Sequence, residues 1–192
     1  MKIKTFLLPA LLMLAVLPSR AQQRKISFHS INTFEIISGQ SPLSTGFQSV
    51  EGFRFSSWFT GIGTGIDHYS YPTLPLFLDF RRSFGREKRA FGYGDIGYDF
   101  PWKDKPGKEI PYNNSPYHFS GGIYSDLGMA YEFRLSNKSA VLFSLGYSYK
   151  ELKSKIDGTN LISFCPLGGC PFDSHQYQLS FGRLILKAGL VL

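Results

Sequence analysis

Polar and apolar residues alternate along most of this chain, with the period of two that is typical of β-strands whose faces meet different surroundings. The alternation is clear at 58–67 and 74–81, and it continues to the end of the chain at 184–192. Almost no segment repeats with the period of a helix. The pattern predicts eight strands at 26–37, 47–56, 58–68, 74–84, 90–100, 121–134, 139–150 and 177–192.

The connections between these strands alternate in length. Three are tight turns, at 56–57, 85–88 and 136–138. The others are longer and rich in Pro, Gly, Ser and Asn, and they lie at 38–46, 69–73, 101–120 and 151–176. Short turns at one rim and long loops at the other are the layout of an outer-membrane barrel. We therefore predict an all-β fold, an eight-stranded antiparallel up-and-down transmembrane β-barrel, with both termini on the short-turn, periplasmic side.

Alternation alone does not say which face lies outside, because a soluble lipocalin-like barrel has the same period with its apolar face inward. Aromatic residues gather near both ends of the predicted strands, as in the girdles at membrane interfaces. The polar face carries charges of both signs, and the chain stops on an apolar strand residue. These features favour an apolar face toward lipid.

Two strands have an uncertain phase. In the first, Phe34 and Ile36 compete with Ile31 and Ile37 for the apolar face. The last strand is out of phase above Arg183, and a bulge near Gly182 would restore its alternation.

Charged residues on the predicted inward face suggest a filled lumen. An eight-stranded barrel has an interior just wide enough for side chains, so ion pairs that plug it are favoured over a conducting pore. One interior ion-pair network is predicted from five of these residues, Asp79, Arg81, Asp95, Asp126 and Arg183.

The first 21 residues read as a secretory signal peptide. Lys2 and Lys4 precede a short apolar core at 6–17, and Ser19-Arg20-Ala21 resembles a cleavage site. We predict cleavage after Ala21, which leaves a single barrel domain at 22–192 and an outer-membrane location. Loss of the three basic residues lowers the net charge from +7 to about +4, too little to indicate nucleic-acid binding.

Four segments carry a resemblance to a known family. They are W-F-T-G-I-G-T-G-I-D (58–67), L-P-L-F-L-D-F-R (74–81), Y-G-D-I-G-Y-D-F-P-W (93–102) and L-I-L-K-A-G-L-V-L (184–192). The chain resembles the small eight-stranded outer-membrane β-barrel proteins of the porin-like and OmpA/OmpX-like type. This resemblance implies lipid contact and recognition of the C-terminal strand by the barrel-insertion machinery. Family members usually end on Phe, whereas this chain ends on Leu192.

Two cysteines stand close together in the longest predicted loop. Cys165 and Cys170 bracket C-P-L-G-G-C, and in an exported protein such a pair most often forms a disulfide. Free thiols and a metal site are the alternatives, and the metal site would need further ligands. We predict a disulfide at the tip of the loop.

Nothing in the sequence matches a catalytic motif, and we predict no catalytic, cofactor-binding or metal site. His68, His118 and His175 fall near the loop rim, where lipid A-modifying barrel enzymes place a histidine. Asp67 and His68 are adjacent on a strand and so point to opposite faces. The leading interpretation is a non-catalytic structural or surface-interaction barrel, with an extracellular ligand or protein at 101–120 and 151–176. A small passive channel and a lipid A-modifying enzyme are the alternatives.

Overall fold

The computed structural model describes residues 26–40, 42–102, 117–136, 139–157 and 174–192. The predicted signal peptide and both cysteines lie outside these ranges. Within them no helix is long and apolar enough to cross a membrane. The strands are β1 Ile26–Gly39, β2 Ser44–Phe55, β3 Trp58–Asp67, β4 Thr73–Phe84, β5 Ala90–Pro101, β6 Tyr117–Ser120, β7 Gly122–Arg134, β8 Ala140–Asp157 and β9 Ser174–Val191.

These strands form one closed antiparallel barrel. Each long strand pairs with the next along the chain, and β9 pairs with both β8 and β1. The short β6 lies in line with β7, since both pair with β8. Counted together, β6 and β7 form one strand position, so the barrel has the eight strands predicted. The strands are staggered around the barrel. A path that starts at His29 and passes from each residue to its register partner on the next strand comes back to β1 at Gly39, ten residues further along the chain. Strands with such a stagger are tilted by about 35–45° from the barrel axis.

The two faces of the wall are as the alternation predicts. On β4 the leucines and Phe80 are exposed on the outside, whereas Asp79 and Arg81 are buried inside. The structure also settles the phase of β1. Ile31 and Ile37 are fully buried in the interior, and Phe34 points outward with 53% of its surface exposed. Glu35 therefore faces inward, which places its carboxylate beside Lys187.

The predicted bulge near Gly182 is wrong. Pairing of β8 with β9 continues without a break from Asp157–Ser174 to Ala140–Val191. Phe181 stays in phase and turns inward, where its ring packs edge-on against Tyr69, with the centroids 6.0 Å apart. Because the partly buried ring packs against Tyr69, the inward position of Phe181 needs no bulge.

A register shift occurs instead between β6 and β7. Ser120 pairs with Lys153, and Tyr124 pairs with Lys150. Four residues along β6 and β7 therefore span the same stretch as three residues along β8. A Cβ at Gly121 would collide with the carbonyl oxygen of Asp99. Glycine lets the neighbouring backbones approach at this bulge.

Three strands project beyond the barrel on the long-loop side. The sequence predicts that the seventh strand ends at 150 and that the eighth begins at 177. In the structure β8 continues to Asp157 and β9 begins at Ser174, and β6 pairs with this part of β8. The three strands form an extension, which we call the β6–β8–β9 projection.

Candidate functional site: the barrel interior

The end of the barrel nearest the short turns is packed with apolar side chains. Alternation directs every second residue inward, and many of the inward residues here are apolar or aromatic. Below them, at the short-turn opening, Arg54 Nη2 lies 2.5 Å from Glu132 Oε1. The buried apolar cluster begins at this end and extends upward through Phe77 to Tyr124, which is in register with Lys150. It contains Ile31, Val50, Phe59, Phe77, Phe91, Tyr93, Tyr124, Ala130, Ala140, Leu142 and Val191.

Asp79 and Arg81 form an ion pair along one strand. They lie two residues apart on β4, so both point into the lumen. Arg81 Nε donates to Asp79 Oδ1 at 2.9 Å, and Nη2 donates to Oδ2 at 2.6 Å. The guanidinium carbon is 5.5 Å from the ring centroid of Phe59 and 5.4 Å from that of Phe91. The charge is therefore both neutralised and enclosed by aromatic rings.

Lys187 is the centre of a second group at mid-height. Its Nζ lies 2.6 Å from Asp126 Oδ2, 3.1 Å from Glu35 Oε1 and 3.8 Å from Asp95 Oδ2. It also donates to the amide oxygen of Gln48 at 2.9 Å. One ammonium thus serves three carboxylates that come from β1, β5 and β7. It links widely separated parts of the wall through the middle of the lumen.

Asp67 is the centre of a third group, nearer the long loops. Its Oδ2 accepts from Arg183 Nη1 and, at 3.3 Å, from Lys150 Nζ. Arg183 Nη2 also donates to Ser148 Oγ at 2.7 Å. Asp67 ends β3, and Lys150 and Arg183 face it from β8 and β9. All three are buried.

The connection between β3 and β4 folds over this third group. Tyr69 is fully buried, and its backbone N–H donates to Asp67 Oδ1 at 2.7 Å. Lys150 Nζ reaches the carbonyl oxygens of Tyr71 at 2.9 Å and of Tyr69 at 3.3 Å. Ile37, Ile185 and Phe181 pack against the Tyr69 ring. The predicted surface loop is thus held in the mouth of the barrel by a buried lysine.

All five residues of the predicted network face the lumen and are buried. The direct contacts among described residues place them in three groups. Asp79 pairs with Arg81, Asp95 and Asp126 share Lys187, and Arg183 pairs with Asp67. Alternation identifies which charges face inward, but it does not give their heights. Those depend on the stagger of the strands, so the central roles of Lys187 and Asp67 were missed.

Among the residues that the structure describes at the loop rim, the histidines and acids are not placed together. His68 is exposed, and the neighbouring Asp67 is turned inward to Arg183 and Lys150. The side chains of His118 and His175 lie outside the described part. Ser27 Oγ lies 2.9 Å from His29 Nε2, but at the opposite, short-turn rim. Among the described residues no group of three or more His, Cys, Asp and Glu is placed to hold a metal ion.

Two solved structures share this architecture. Outer membrane protein AlkL, determined by solid-state NMR in DMPC lipid bilayers, matches with a TM-score of 0.51 and 13% identity over 85% of this chain and 88% of its own. The outer membrane protein OprG from Pseudomonas aeruginosa matches with a TM-score of 0.57 and 9% identity, over 85% and 93%. This is the fold of small outer-membrane β-barrels. At these identities the likeness is one of fold. No protein-family model and no curated protein sequence matches the chain.

Proposed function

We propose that this protein is an exported outer-membrane barrel that does not conduct and that acts through its outer surfaces. The apolar outward wall, the shared fold and the predicted signal peptide at 1–21 support the location. On this proposal the molecule has no catalytic role.

The observation that carries the proposal is the filled lumen. An ion crossing the barrel would first meet Tyr69 and Phe181 at the mouth, then the two groups centred on Asp67 and Lys187. It would finally meet the buried aromatic cluster around Phe59 and Phe91. Opening a path would separate buried ion pairs, and breaking such a pair costs about 3–5 kcal/mol. Such a lumen supports a structural role for the interior.

The surfaces left for function lie outside the lumen. The β6–β8–β9 projection extends beyond the barrel, and Lys153, Gln176 and Gln178 are exposed on it. The predicted loops 101–120 and 151–176 lead into the same projection along the chain. Rigid strands that present adjoining loops suit contact with an extracellular ligand or protein.

Single-channel recording tests the sealed lumen. The refolded full-length protein is inserted into planar bilayers, with a general porin inserted in the same way as the positive control. We expect no unitary current steps over the voltage range in which the porin conducts. Stable steps whose size changes in Lys187→Gln, a lumen variant, would refute the proposal and support the passive channel.

Analysis of lipid A tests the absence of catalysis. We expect the lipid A mass spectrum of a deletion strain to equal that of the parent. A species that is lost on deletion and restored by the wild-type chain would instead identify a lipid A-modifying enzyme.

A further inference from the structure

The outward wall of the barrel carries two isolated charges. Between the short turns and the level of Tyr149, the outward positions of the described strands include one acid, Glu51 on β2, and one base, Arg82 on β4. The strand between them is β3. Other outward positions at this level are mostly large apolar or aromatic residues. Both lie in the half of the wall nearer the short turns, since their register partners on β3 are Trp58, its first residue, and Ile62. A charged side chain facing lipid is less favourable there than one that meets an opposite charge.

Glu51 is held in a polar patch on the outer surface of β1 and β2. Ser30 Oγ donates to Glu51 Oε1 at 2.6 Å, Asn32 Nδ2 donates to Ser30 Oγ at 3.0 Å, and Ser49 Oγ donates to Asn32 Oδ1 at 2.9 Å. These side chains fix the position of the carboxylate. The described hydrogen bonds to Glu51 all use Oε1. Oε2 is therefore left to accept a bond from outside the barrel.

Arg82 is exposed on the same side of the molecule. Its guanidinium carbon lies 5.1 Å from the ring centroid of Trp58 on β3. None of the described ion pairs involves it. Glu51 pairs in register with Ile62, whereas Arg82 pairs with Trp58, four residues away on β3. Two strand spacings and four residues separate their Cα atoms by roughly 16 Å, too far for a salt bridge within one barrel.

The tilt of the strands brings the two charges to nearly the same depth. Glu51 is in register with Ile62, and Ile62 is in register with Leu78. These two steps between strands raise the height above the short turns by about a quarter of the ten-residue stagger. Arg82 then lies four residues back toward the short turns. The residual difference in height is roughly 4 Å, which a long arginine side chain spans.

We propose that two copies of this chain pair side by side through the outer faces of β2, β3 and β4. Glu51 of each copy meets Arg82 of the other, across a two-fold axis that is parallel to the barrel axis and passes near β3. All copies insert in the same direction, so a closed pair must have its axis along the membrane normal. The pair of copies then contains two Glu51–Arg82 contacts, one on each side of the axis.

Two features of the wall fit a second copy. At the centre of the contact, the small Thr60 and Thr64 flank the exposed Ile62 on the outward face of β3 and leave space beside it for a side chain of the second copy. The interface uses one acid and one base from each copy, so neither Glu51 nor Arg82 is left facing lipid. The inference rests on membrane placement and not on the sealed lumen, since a conducting pair would refute only the proposed function.

Complementation between two uncharged variants tests the pairing. Glu51→Gln and Arg82→Gln are each labelled with a donor or an acceptor fluorophore and reconstituted in liposomes at high dilution. A pair made of one variant has no Glu51–Arg82 contact, whereas a mixed pair retains one. We expect energy transfer in wild type, association constants lower on the order of tenfold for each variant alone, and partial recovery in the mixture.

Leu127→Gln, on the opposite wall, is the matched control for added polarity facing lipid, and it should associate as wild type does. Heat-modifiable migration on gels confirms that each variant is folded. Monomeric wild type, equal association of all variants, or no gain in the mixture would each overturn the proposal. A charge exchange, Glu51→Arg with Arg82→Glu, restores opposite charges on either side of β3 and should associate more strongly than either single variant, and failure of the folded double variant to do so would also count against the proposal.

Discussion

Replacing Lys187 by Met removes the only ammonium among the described residues of the mid-height group. The two side chains are similar in length, so the lumen stays filled. Asp126, Glu35 and Asp95 then lose the cation that lies 2.6, 3.1 and 3.8 Å from their carboxylate oxygens. Arg81, another buried cation of the lumen, is already engaged by Asp79.

The expected loss is about 3–5 kcal/mol, the cost of leaving buried charge uncompensated. The free energy of unfolding of a native domain is about 5–15 kcal/mol, so this loss is a large fraction of the stability. The free energy of unfolding falls by about 1–3 kcal/mol per M of urea, so the urea concentration at the unfolding midpoint should fall by roughly 1 M or more. Adding Asp126→Asn removes one of the stranded carboxylates and should recover part of the loss.

The measurement is reversible urea unfolding in lipid vesicles, followed by tryptophan fluorescence and by heat-modifiable gel migration. Leu186→Met is the matched control, because it introduces the same residue one position away on the outward face, where 52% of Leu186 is exposed. We expect this control to change stability by less than about 1.5 kcal/mol. A Lys187→Met midpoint equal to wild type, or equal losses in both variants, would refute the central role of Lys187.

Two further predictions concern the wall and the loop outside the described ranges. Leu78→Arg places a charge at mid-height on the outward face and should cost about 2–4 kcal/mol, whereas Leu78→Met should be close to neutral in the same urea assay. The double variant Cys165→Ser with Cys170→Ser should keep the gel shift of a folded barrel while becoming more sensitive to protease near 160–175, because a disulfide across so few residues constrains only its loop. Failure of that variant to insert would contradict the second prediction.

The fold was accessible from sequence because lipid outside and side chains inside impose a two-residue period on every strand. That period locates β3 and β4 almost to the residue, and it assigns Asp79 and Leu78 to opposite faces correctly. It fails where both faces carry apolar residues. On β1, Ile37 and Ile36 are equally suited to lipid. The structure turns Ile37 inward together with Glu35, whose carboxylate pairs with Lys187 on the adjacent strand β9.

The contacts of the interior were less accessible, because they depend on stagger. Two inward charges meet only when the register of the intervening strands brings them to one height. Arg183 lies four residues from Lys187 on the inward face of β9, with Ile185 between them, and this difference in height places Arg183 with Asp67. The bulge at Gly121 was missed for a related reason, since an extra residue beside a long loop does not disturb the alternation that follows it.

Packing across the lumen connects one glycine to the Lys187 group. A Cβ on Gly63 would overlap the ring of Phe77. That ring packs on Tyr124 with centroids 5.3 Å apart, and the Tyr124 hydroxyl accepts from Gln48 at 2.7 Å.

Because Gln48 in turn accepts from Lys187, a methyl group at Gly63 would disturb the polar group as well as the apolar cluster. Gly63→Ala should therefore cost about 1–3 kcal/mol, as overpacking usually does. Gly94→Ala is the matched control, since its Cβ would meet only Leu127 Cδ1 at an ordinary 3.6 Å. Adding Phe77→Leu to Gly63→Ala should restore part of the urea midpoint by freeing space. If Gly63→Ala and Gly94→Ala unfold at the same midpoint, the interior has room to adjust, and the argument for a tightly filled lumen fails.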